Sequence, residues 1–147
     1  MSDRGLSTVV GYALALGIVA LLTSALFVTM AGFVEHQRED TARVTLEVVG
    51  NELAADLETV DRLSSNGDGT ETVELETDLP THVVGSPYTI AVNESGEDRV
   101  ELTTHDPVVT VSVPYRTSTG VDGTTVTGGS LVIEYDADRE RLVVRDD

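Results

Sequence analysis

Residues 6–34 (LSTVVGYALALGIVALLTSALFVTMAGFV) contain no charged side chain. As an α-helix this run would measure roughly 43 Å at about 1.5 Å per residue, which exceeds the hydrocarbon thickness of about 30 Å of a bilayer. It is about twice too long for the 7 to 15 residue apolar core of a secretory signal peptide. Within it Ala13, Gly17, Ala20 and Ser24 recur at spacings of three and four, which places them on one helical face. Small residues on such a face let helix backbones approach closely in an apolar medium, and the larger Leu14, Ile18, Leu22 and Phe27 occupy the other faces. The spacing predicts a helix that packs against other helices.

From residue 35 to 63 the pattern becomes amphipathic. Leu46, Val49, Leu53, Leu57 and Val60 recur at helical spacing among Glu, Asp, Asn and Arg, so one stripe should face a core. The two segments together predict a single helix of about 58 residues, on the order of 87 Å. Gly32 and Gly50 are its expected bends, because glycine weakens a helix interior; a break near residues 35–41 is the alternative. Turn formers at 64–69 (SSNGDG) end the helical pattern.

Beyond the turn the period switches to two. Val73 and Leu75, then Tyr88, Ile90 and Val92, then Val100 and Leu102 read as strands. Val109, Val111, Val113 and Tyr115 give the cleanest alternation, and Pro114 assigns that strand to an edge or to its own end. Leu131, Ile133 and Tyr135 are followed by Leu142 and Val144 in a final hairpin, whereas residues 118–129, rich in Gly and Thr, read as an exposed loop. The predicted fold class is α+β: a long N-terminal helix, with a membrane or assembly half and an amphipathic half, then an antiparallel β-sheet head with one face on the amphipathic half.

Charge sharpens this division. The net charge is −17, and 25 of the 26 acidic residues lie beyond residue 34. Such a surface repels nucleic acid, which excludes it as a partner. All nine basic residues are Arg, with no Lys. A carboxylate-dense, lysine-free surface suits a high-salt environment, where self-repulsion is screened, and points to a haloarchaeal source. Arg4 precedes the apolar run and Glu35, Glu39 and Asp40 follow it, so the positive-inside tendency places the head outside the cell. There is no cysteine, hence neither disulfide nor thiolate chemistry.

The junction at Arg4, Gly5, Leu6 and Ser7 sets a basic residue and a glycine directly against the apolar run. In this the chain resembles archaeal type IV pilin and archaellin precursors with a class III signal peptide. The resemblance implies a leader of residues 1–5 removed by a prepilin peptidase after Gly5, an assembly helix over 6–34, its amphipathic continuation over 35–63, and a β-rich extracellular head over 70–147. It further implies a single-pass membrane precursor and then a cell-surface filament, with other pilin subunits and the pilus assembly machinery as partners. The glutamate that bacterial pilins carry five residues after the cut is Val10 here, which fits the archaeal rather than the bacterial pattern.

No catalytic set is present. His36, His82 and His105 are far apart in sequence and form no metal-binding spacing, and no serine stands in a nucleophile elbow. Residues 66–71 and the trio Asp136, Asp138 and Glu140 are faintly calcium-loop-like, but both read better as turns. Asn93, in the sequence Asn93, Glu94, Ser95, is a glycosylation candidate. The expectation is a non-enzymatic structural subunit without metal or cofactor, either a full pilin or a minor one. The alternative is a monomeric membrane-anchored binding or adhesion module.

Overall fold

The computed structural model describes residues 3–66, 73–93 and 96–147. It divides into two compact units, Met1–Gln37 and Arg38–Asp147. Helix α1 (Asp3–Asn66) has no interruption in its helical assignment at residues 35–41, so the chain is not broken there into two helices. It also continues through Ser64, Ser65 and Asn66, where turn formers predict an end. Ser64 and Ser65 donate their hydroxyls to the Asp61 carbonyl, and Asn66 donates its amide to the Arg62 carbonyl. These side chains bond back into the last turn instead of diverting the backbone.

The described residues of the first unit are all helical, the helix is long and apolar enough to cross a membrane, and none of its apolar window is buried. Three of its hydroxyls are satisfied locally. Thr23, Ser24 and Thr29 donate to the carbonyls of Val19, Ala20 and Ala25 at 2.8, 2.9 and 2.9 Å. This is how a helix carries Ser and Thr into a medium without water.

Among the described residues, the second unit joins the end of α1 to eight strands: β1 (Glu74–Asp78), β2 (Tyr88–Val92), β3 (Arg99–His105), β4 (Val108–Pro114), β5 (Gly120–Val121), β6 (Thr124–Thr127), β7 (Ser130–Asp136) and β8 (Arg141–Asp146). The layout is α+β, a long N-terminal helix followed by largely antiparallel sheet, as the periodicity predicts. In place of one six-stranded sheet there are two four-stranded ones, ordered β1-β7-β8-β5 and β4-β3-β2-β6. The extra strands come from the region read as a loop. Thr124 to Thr127 alternate too briefly to stand out, but they complete the edge beside β2, while Gly120 and Val121 pair in parallel with β8. Strand β4 ends at Pro114 and forms a sheet edge, which is where a residue without an N–H is tolerated.

One core unites these elements. On α1 it takes Ala42, Leu46, Val49, Leu53, Ala54, Leu57 and Val60; on the strands it takes the inward residues of each alternation, including Ile90, Leu102, Ile133 and Leu142. Gly50, expected as a bend, is instead a point of close approach. A Cβ there would lie 2.7 Å from Val113 Cγ2 and 2.8 Å from Leu102 Cδ1, so only glycine lets the helix backbone come this near to β3 and β4. Gly128 does the same for the Tyr88 ring, which a Cβ would overlap.

Candidate assembly surface

The sequence-predicted packing residues lie on the first unit. Ala13, Gly17, Ala20 and Ser24 are all exposed, and a Cβ built on Gly17 would meet nothing within 4 Å. Val10, Ala13, Leu14, Gly17, Ile18 and Leu21 line a shallow apolar groove along the helix. Along the same helix Tyr12, Leu21, Phe27 and Phe33 are each about two-thirds or more exposed, at 71%, 73%, 69% and 67%. The helix therefore exposes large apolar groups, with Ala13 and Gly17 in the groove between them and Ala20 and Ser24 outside it. Water is a poor neighbour for such a surface, and a lipid tail or another helix is a good one. Arg4, Gly5 and Leu6 belong to the helical backbone that begins at Asp3, and Ser7 is exposed.

The head carries a polar anchor that sequence reasoning missed. The buried Asp61 carboxylate accepts hydrogen bonds from the Ser118 and Thr119 backbone N–H groups, each at 2.8 Å, and from the Ser118 hydroxyl at 3.0 Å. Burial alone would raise its pKa, but these donors together outweigh it and hold the carboxyl below its ordinary value. Three residues earlier on α1, Glu58 accepts from the Arg116 N–H at 3.0 Å. Two carboxylates on one helical face thus fix the segment that follows β4, part of which the composition assigns to an exposed loop. The only sequence signal for it is an aspartate at a helical position next to the core residue Val60.

The remaining candidates fall to local roles. Asp136 accepts from the N–H groups of Asp138 and Arg139 at 3.0 and 3.2 Å, so it organises the β7–β8 turn. The calcium-like sequence at 66–71 lies, apart from Asn66, outside the described residues. Asn93 has φ of 50° and donates its side-chain nitrogen to the Val121 carbonyl at 2.9 Å, so the atom a glycan would occupy is already engaged. Glu94 and Ser95 lie outside the described residues. His36, His82 and His105 are exposed and lie apart, on α1, in the β1–β2 connection and at the end of β3. Among the described residues no group of three or more metal-binding side chains comes together.

Tyr88 and Tyr115 are buried with hydroxyls that have no hydrogen-bond partner among the described residues. Their pKa values are pushed up to about 12, first by burial and then by the negative charges of Glu52 and Asp98 respectively. Both stay neutral at any physiological pH and act as core side chains.

No curated protein and no solved structure matches the chain. Over residues 1–146 it matches DUF7266, a family of unknown function, and it belongs to that family.

Proposed function

We propose that the protein is a structural subunit, full or minor, of an archaeal type IV pilus-like cell-surface filament, held first in the membrane and then assembled through its N-terminal helix. The observation that carries this reading is the contrast within α1: residues 7–30 are exposed throughout, uncharged and apolar, whereas the later part of the same helix is buried along one stripe. A surface of that kind needs an external apolar environment. Lipid supplies it in the precursor, and helices of other copies or related subunits supply it once the helix leaves the bilayer. The shallow Ala13 and Gly17 groove gives a partner helix room for close backbone contact. The Arg4 and Gly5 junction supports peptidase processing that would spare this helix, and the acidic head would remain outside in brine.

N-terminal sequencing of protein isolated from cells tests the processing, with Leu6 expected as the first residue. Replacing Gly5 by Leu should leave an unprocessed chain and abolish assembly. A Gly5→Leu chain of unchanged size and undiminished function overturns the filament reading and leaves a membrane-anchored monomer.

A further inference from the structure

We propose that the β4 edge is a self-pairing surface, through which two copies join head to head as a continuous antiparallel sheet. This goes beyond helix-mediated assembly and does not depend on it.

Each sheet has two outer strands; β5 spans two residues and the uncharged β6 four, and the two longer outer strands, β1 and β4, differ in charge. Edge strand β1 exposes Glu74, Glu76 and Asp78, and charges of one sign along an edge keep a second copy away. Edge strand β4 reads Val-Val-Thr-Val-Ser-Val-Pro, with no charge in seven residues of a chain whose net charge is −17. Its outer face presents Val108, 76% exposed, with Thr110 and Ser112. It pairs with β3 alone. For two strongly acidic heads, a neutral edge is where approach meets least repulsion.

The hydrogen-bond parity of β4 makes this edge self-complementary. Tyr115 N–H donates to the Asp98 carbonyl at 3.1 Å, and Val109 N–H donates to the Thr104 hydroxyl at 3.2 Å. In the unbroken β3–β4 register the odd-numbered residues therefore turn their backbone groups toward β3. Val108, Thr110 and Ser112 turn theirs outward, and Pro114 shares that parity but has no N–H. Antiparallel pairing of two such edges about Thr110 sets Thr110 against Thr110 and Val108 against Ser112. That register forms roughly six backbone hydrogen bonds and leaves Pro114 outside them. Centring on Val111 would also form roughly six bonds, but it would place Pro114 opposite Val108 and leave the Val108 carbonyl without a donor at each end.

The symmetry has a consequence for direction. The two-fold axis of such a pair runs along the sheet normal, and it reverses the part of α1 that packs on the sheet. The chain then enters the two heads, at Arg38, from opposite ends.

The absence of cysteine makes the test direct. Full-length protein in detergent micelles at high salt, with Thr110→Cys as its only thiol, should oxidise to a disulfide-linked dimer at least tenfold faster than a Glu76→Cys control. Paired residues at this position lie about 5.5 Å apart between Cα atoms, within disulfide range. Val108→Cys and Ser112→Cys should each cross-link slowly alone and quickly when mixed. Thr110→Pro removes an outward N–H and keeps the backbone pairing with β3, at the loss of the Thr103–Thr110 hydroxyl bond, so Ser112→Cys with Val108→Cys in that background should lose the cross-link while the head still unfolds as one cooperative unit. Clustering through the apolar helix would raise the rate at Glu76→Cys and Thr110→Cys alike. Equal rates at those two positions, or a cross-link indifferent to Thr110→Pro, overturn the proposal.

Discussion

The two parts of α1 share a backbone conformation and almost nothing else. Residues 7–30 carry apolar groups all round and bury none of them, while residues 42–60 carry a stripe that is buried almost completely, with Leu46, Leu53 and Leu57 at 0% exposure. Hydrogen bonding is equivalent along both, since every helix satisfies its own interior backbone. What differs is where each part finds its apolar neighbours. The later part finds them in strands of its own chain, so its side chains are tied to folding of the head. The earlier part finds none there, so its side chains are tied to an environment outside the chain. The same division governs the glycines: Gly50 is required by a sheet 2.7 Å from its missing Cβ, whereas Gly17 faces open space within the chain.

The sharpest way to break this contrast is to place one charge on each part. Leu53→Asp buries an unpaired carboxylate in the core and should destabilise the head by more than about 4 kcal/mol, or leave it unfolded in urea titrations followed by circular dichroism. Leu21→Asp should leave the head's urea midpoint unaltered, and cost about 2.5–3.5 kcal/mol in membrane insertion, read from the fraction of chain retained in the bilayer. Equal effects of the two changes on head unfolding would dissolve the distinction between the parts.

Truncation without charge is the next step down. Leu57→Ala should cost about 2–5 kcal/mol of head stability, because the site is fully buried and closes only partly around a cavity. Leu14→Ala, at a residue 63% exposed, should change that stability by less than about 0.5 kcal/mol.

Among the glycines, Gly50→Ala drives a methyl into Val113 and Leu102 and should cost about 1–3 kcal/mol. Gly17→Ala meets nothing in the chain and should raise helicity in micelles while leaving the head's unfolding curve in place.

Asp61→Asn should cost about 1–3 kcal/mol at neutral pH, since three donors lose their charged acceptor. The sign of its pH dependence follows from the lowered pKa. The stabilisation is complete above the unfolded-state carboxyl pKa and disappears as pH falls through the lower folded-state value. Urea midpoints of the wild type and Asp61→Asn, measured from neutral to acid pH, should therefore converge at the acid end.

Much of the fold is legible because it rests on periodicity. The apolar stripe from Leu46 to Val60 and the alternation from Val109 to Tyr115 are each long enough to identify the element and its buried face without a partner in view. The short β5 and β6 are not, because two or four residues of Gly, Val and Thr have no period of their own and become strands through the neighbours they complete. The Asp61 anchor is illegible for a related reason. Its donors stand 57 and 58 positions away in sequence, and nothing local distinguishes Asp61 from a solvated helix aspartate.

By itself the sequence determined that an uncharged helix precedes an acidic β-rich head, because hydrophobic pattern and charge are properties of each segment alone. The tertiary structure decided how the head closes: as two sheets, with Gly50 pressed to β3 and β4, Asp61 holding the segment after β4, and a neutral β4 set at an open edge. Those features are pairings between distant residues, and in a chain of this length many pairings are compatible with the same local patterns. Packing density and hydrogen-bond satisfaction select among them only when the whole head is assembled.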